Sequence, residues 1–113
     1  MNEADYIEKL FASWPRNEDA TNESLGLADE AVQAFPESPK LWVMRGNLIE
    51  LGTGETAHTL DDVLASYERA VLIDPNFVEG WKEIGYFYDV VMDDEERAQE
   101  AFQKAKLLKD KNV

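Results

Sequence analysis

The stretch Ala31-Val32-Gln33-Ala34-Phe35-Pro36-Glu37-Ser38-Pro39-Lys40-Leu41-Trp42 has a counterpart 39 residues later, Ala70-Val71-Leu72-Ile73-Asp74-Pro75-Asn76-Phe77-Val78-Glu79-Gly80-Trp81. Ala-Val, Pro and Trp keep their mutual spacing, and a glycine follows each tryptophan by four residues, at Gly46 and Gly85. Self-similarity at this period marks stacked supersecondary units, each burying one face against the next, rather than one closed core. Such stacks usually present a surface to another macromolecule.

Glycine and proline divide the chain into six helical pieces. Tyr6, Leu10 and Trp14 stand at near-helical spacing in a first helix over 4–13 that stops before Pro15. A second runs from about Asp19 to Phe35, with Ala28, Ala31, Val32 and Phe35 on one stripe, and ends at Pro36. The third opens on Pro39, a favoured first helical position, behind Ser38 as N-cap, and stops near Gly52. A polar turn over 53–58 follows. The fourth starts at Thr59, whose hydroxyl can cap while Asp62 reaches back, and runs to Ile73 before Asp74-Pro75. The fifth covers about 77–91. The sixth begins in Asp93-Asp94-Glu95-Glu96 and ends in lysines, both favourable to the helix dipole. No stretch alternates convincingly as a strand.

The last unit reads Trp81-x2-Ile84-Gly85-x2-Tyr88, then Ala98-x3-Phe102-x2-Ala105. The middle one reads Trp42-x2-Arg45-Gly46-x2-Ile49, then Val63-x3-Tyr67-x2-Ala70, closing at Pro75. This spacing over about residues 20–110 resembles the tetratricopeptide repeat (TPR) family. The resemblance implies an all-α, right-handed α-α superhelix of about three antiparallel hairpins in a single domain over 1–113. Its degenerate first hairpin covers about 4–35, and two repeats cover about 39–75 and 77–110.

Glycine inside a helix costs about 1 kcal/mol against alanine. Gly46 and Gly85 are therefore expected where a second helix crosses too closely to admit a Cβ, with Ala70 and Ala105 as the small residues on that opposing helix. Trp42 and Trp81 should fill the space between one hairpin and the preceding one. Arg45 stands where the repeat has an apolar residue, so either its stem is buried beneath an exposed head or it pairs with an acid. Val32 and Val71 should face a following hairpin; Lys106 at the equivalent place is expected to make the end of the stack soluble. Pro15 fits a regular first helix poorly, so the first helix is read as an altered cap.

In the family, the first helix of each pair lines a concave groove. Carried over, the resemblance implies an inner face of Lys40, Val43, Asn47, Glu50 and Leu51, then Glu79, Lys82, Tyr86, Asp89 and Val90, with Tyr86 as the best anchor for a peptide. Some members clamp the carboxylate tail of a chaperone with lysines, asparagines and an arginine on successive inner helices. Here Val43 stands where a lysine is needed before Asn47, Tyr86 where an asparagine is needed after Lys82, and Glu79 and Glu83 repel an acidic tail. Binding of such tails is not expected.

With 24 acids against 11 lysines and arginines, the chain carries a net charge of −13. That field disfavours nucleic acid and anionic membranes and speeds the approach of a basic partner. There is no cysteine, so disulfides and thiolate chemistry are excluded. The N-terminus is acidic where a signal peptide is basic, and no long apolar run follows, so a cytoplasmic location is expected. The lone histidine, His58, reads as a solvated turn residue with no nucleophile around it. Paired acids fall at helix starts, where capping and dipole explain them. No catalytic residue, cofactor or metal site is expected.

Two functional readings follow. One is a non-enzymatic adaptor or scaffold holding a protein or peptide of basic character in its groove. The other is a small acidic inhibitor of the immunity-protein or antitoxin kind, masking a basic partner by charge. The chain is expected to be a monomer, opposed by its own charge to weak self-association through Leu107 and Leu108 at the end of the stack.

Overall fold

The computed structural model describes residues 1–16, 19–52 and 58–111. Its helices are α1 (Glu3–Ala12), α2 (Asn22–Ala34), α3 (Pro39–Glu50), α4 (Leu60–Ile73), α5 (Val78–Tyr86) and α6 (Glu95–Lys111), with a π turn at Phe87–Val91 continuing α5. There is no strand among the described residues. The polar turn expected over 53–58 lies, except for His58, outside them.

Local chemistry sets the helix ends. Ser38 accepts from the Leu41 N–H and places Pro39 in the first turn of α3. Thr59 and Asp62 form the expected reciprocal cap: the Thr59 N–H donates to Asp62 Oδ2 at 2.8 Å and the Asp62 N–H to Thr59 Oγ1 at 3.4 Å. A second capping box, Asn2 with Asp5, starts α1. α2 begins three residues later than its periodicity suggests, because Thr21 rather than Asp19 supplies the cap.

The described helices pack in antiparallel succession, each mainly against its chain neighbours, as an all-α helical repeat. The core runs through the stack. Leu10, Leu41, Val43, Leu48, Val63, Tyr67 and Ala70 are inaccessible to solvent. Both tryptophans sit at the joints between successive hairpins. The Trp42 indole N–H donates to the Pro36 carbonyl at 2.9 Å, and that of Trp81 to Pro75 at 2.8 Å. The repeated Pro–Trp spacing thus encodes a hydrogen bond that closes each joint, with the indole body packed on the core.

The glycines admit a close neighbour from the second helix, as expected. A Cβ at Gly46 would lie 2.5 Å from Tyr67 Cε1, and one at Gly85 2.5 Å from two carbons of Phe102. The neighbour is an aromatic ring from the second helix of the same hairpin. A Cβ at Gly80 would come 3.7 Å from Ala70 Cβ and 2.7 Å from Val71 Cγ1. Val71 therefore meets the following hairpin through Gly80, as its place in the repeat suggests. Lys106 is exposed.

Candidate interaction surface

α3 and α5 bring part of the expected inner face together. Lys40 and Glu79, which hold the same place in successive units, form an ion pair, with Nζ 3.1 Å from both carboxylate oxygens. Tyr86 is 51% exposed, yet its ring is held edge-on against Phe102 with centroids 5.1 Å apart. Asn47 is half-buried, and Glu50, Lys82 and Asp89 are exposed. Leu51 and Val90 are exposed as well. Val43 does not belong with them. It is fully buried on the core side of α3, so it cannot touch a partner.

Tyr67 contributes to this face from behind. Its ring crosses Gly46, and its hydroxyl emerges beside α3, donating within reach of Asn47 Oδ1 at 2.7 Å and Glu50 Oε1 at 3.0 Å. Sequence reasoning placed Tyr67 only in the core. The signal was there: the equivalent residue of the last unit is Phe102, which has no hydroxyl to satisfy.

Glu83, expected only to repel an acidic tail, is partly buried here. Burial lifts its carboxyl above the ordinary value of 4.5, and the nearby charges of Glu50 and Glu79 lift it further, while Lys82 and Lys40 pull the other way. Glu50 is exposed as a residue, yet partial desolvation of its carboxyl raises it too, opposed by the Tyr67 hydrogen bond. The Tyr67 phenol in turn holds its proton more tightly than usual, through burial first and then Glu50 and Glu83. α3 and α5 therefore present two partly desolvated carboxylates, of which Glu83 also feels the charges of Glu50 and Glu79. A cationic side chain close to them would favour their charged forms.

A polar cluster fills the opposite side of the α2–α4 joint. Arg45 Nε lies 2.8 Å from Asp29 Oδ1, and its Nη1 donates to Ser66 Oγ at 2.6 Å. Its guanidinium sits 5.7 Å from the Trp42 ring centroid. Of the two expected arrangements, pairing with an acid is the one adopted. His58 also departs from expectation. It is not a solvated turn residue: its side chain is only 15% exposed and its Nε2 lies 2.9 Å from Asp29 Oδ2. The cluster joins α2, α3 and α4, which accounts for all four side chains structurally.

At the end of the stack Leu108 is buried and Leu107 is 60% exposed, so only one of the two leucines remains available for contact. No helix among the described residues is long and apolar enough to cross a membrane.

No protein-family model and no curated protein matches this sequence. Solved structures do match. The crystal structure of MamA, a TPR-like protein, superposes with a TM-score of 0.67 at 20% sequence identity, over 79% of this chain and 48% of that one. The chain thus spans about half the length of MamA. At this identity the likeness shows the fold, and the fold is TPR-like.

Proposed function

We propose that this chain is a non-enzymatic interaction module whose inner face, built by α3 and α5, holds an extended or helical segment of a basic protein partner. The observation that carries this reading is the pairing of Glu50 with Glu83 across successive inner helices. Glu83 is partly desolvated and repelled by Glu50 and Glu79, and Lys40 is already engaged by Glu79 at 3.1 Å. An arginine or lysine of the partner inserted there would exchange this repulsion for two charge-assisted contacts. Tyr86 beside it supplies a rigid aromatic anchor at small entropic cost.

Capture from native lysate at low and physiological salt tests the reading, using wild type, Tyr86→Ala and Glu50→Gln/Glu83→Gln as baits. The inner-face reading expects one basic partner to be retained by wild type at both salts and lost from both variants. The net charge of −13 favours the second reading, an acidic inhibitor that masks a basic surface. That reading expects a partner indifferent to Tyr86→Ala and released steeply by salt.

A further inference from the structure

The two joints of the stack are built alike but closed differently. At the first, Arg45 lies over Trp42 and ties Asp29 to Ser66, while His58 also meets the Asp29 carboxylate. At the second, the corresponding residues along the repeat are Ile84 for Arg45, Glu68 for Asp29 and Ala101 for Ser66. None of these can rebuild the polar cluster. What remains between α4 and α6 is an open groove of about 1000 Å³, floored by Trp81, Ile84 and Tyr88. Val71 and Leu72 form its apolar wall, and Leu72 is 70% exposed.

The rim of this groove breaks the charge pattern of the molecule. Arg69 stands on the α4 wall, with Arg97 and Lys104 on the α6 wall, against Glu68 and Glu100. A chain with more than twice as many acids as bases thus places three of its eleven cations here. Lys104 is held 5.9 Å from the centroid of Trp81 and Arg97 5.6 Å from that of Tyr88, so both charges lie over the groove floor. Neither Arg69 nor Lys104 has an ion-pair partner among the described residues. The walls, from Ala65 to Leu72 and from Arg97 to Lys104, each extend about 10 Å, or two helical turns.

From this geometry we infer that the α4–α6 groove is a second docking site, distinct from the inner face, for a short amphipathic helix whose apolar stripe is flanked by carboxylates. Apolar side chains cover Trp81, Ile84 and Leu72, and the flanking carboxylates pair with Arg69 and Lys104 on opposite walls. The charge preference is the reverse of that proposed for the inner face, so the two sites select different segments.

The probe is a short fluorescein-labelled helical peptide with leucines along one face and glutamates on both flanks. A matched peptide carries lysine in place of each glutamate. Anisotropy titration is expected to show the glutamate peptide binding at least ten-fold more tightly than the lysine peptide. Arg69→Glu/Lys104→Glu, both exposed positions, should invert that order. Ile84→Arg/Glu68→Asp/Ala101→Ser, which transplants the closure of the first joint, should weaken the glutamate peptide at least ten-fold, whereas Tyr86→Ala should leave it unchanged. Amide shifts in wild type should map to α4, α6 and the Trp81 indole. Failure of the glutamate peptide to saturate, equal or tighter binding of the lysine peptide, or shifts confined to the inner face would each overturn the site. So would a sedimentation shift showing that a second copy of this chain occupies it.

Discussion

Arg45 Nε and Asp29 Oδ1 meet at 2.8 Å across the joint between α2 and α3, at a position where the repeat pattern asks for an apolar side chain. The Arg45 side chain is only 17% exposed, so the pair is screened less than a surface ion pair. Arg45→Met should therefore destabilise the fold by about 1–3 kcal/mol, leaving Asp29 with His58 and freeing Ser66. Urea unfolding of Arg45→Met, Asp29→Asn and the double variant measures it. A double variant less destabilised than the sum of the singles is expected; strict additivity would show that the two side chains do not cooperate.

The glycines separate into two kinds. A Cβ at Gly26, in α2, would meet nothing within 4 Å, so Gly26→Ala should stabilise by about 0.5–1 kcal/mol through helix propensity alone. The same change at Gly46 or Gly85 drives a methyl into the Tyr67 or Phe102 ring, and overpacking of this kind costs about 1–3 kcal/mol. Phe102→Leu should recover part of the loss in Gly85→Ala. Thermal melts of the three alanine variants check the sign at each position.

Stability should respond to pH through Glu50 and Glu83. Both carboxyls are raised above 4.5 in the folded state, so between that value and their folded values the native chain binds more protons than the unfolded one. Their charged forms thus weaken the fold above the folded values, and this weakening disappears as pH falls below 4.5. Glu83→Gln is expected to raise the melting temperature at pH 7 and to leave it nearly unchanged at pH 4. An equal gain at both pH values would show that the carboxyl's charge is not the cause.

Tyr67→Phe converts the middle hairpin to the form of the last one. It removes the hydroxyl from Asn47 and Glu50 while keeping the ring over Gly46. A loss of about 0.5–1.5 kcal/mol is expected, the ordinary net value of such a bond. Because that hydrogen bond lowers the Glu50 carboxyl, its titration should move further upward in the variant, which carboxyl NMR resonances would follow.

Much of the fold was legible because the repeat states the same packing problem twice. Pro, Trp, Gly and the small residues recur at fixed spacing, and the capping of α3 and α4 is written in Ser38-Pro39 and in Thr59 with Asp62. The site was less legible. Val43 was assigned outward by analogy, yet in α3 it belongs to the buried stripe with Leu41, Met44 and Leu48. The hydroxyl contacts of Tyr67 and the partial burial of Glu83 come from contact between helices, which spacing along one helix does not display. His58 was read from its polar neighbours, whereas Asp29, from another helix, sets its surroundings.

The π turn at Phe87–Val91 makes the last inner helix unlike the one before it. Its backbone bonds reach one residue further, as in that from the Met92 N–H to the Phe87 carbonyl, so side chains beyond Tyr86 slip out of phase with their counterparts on α3. A segment laid along the inner helices would find an even cadence on one hairpin and a broken one on the next. The ladder therefore has a polarity, and a bound chain and its reverse would not be read alike.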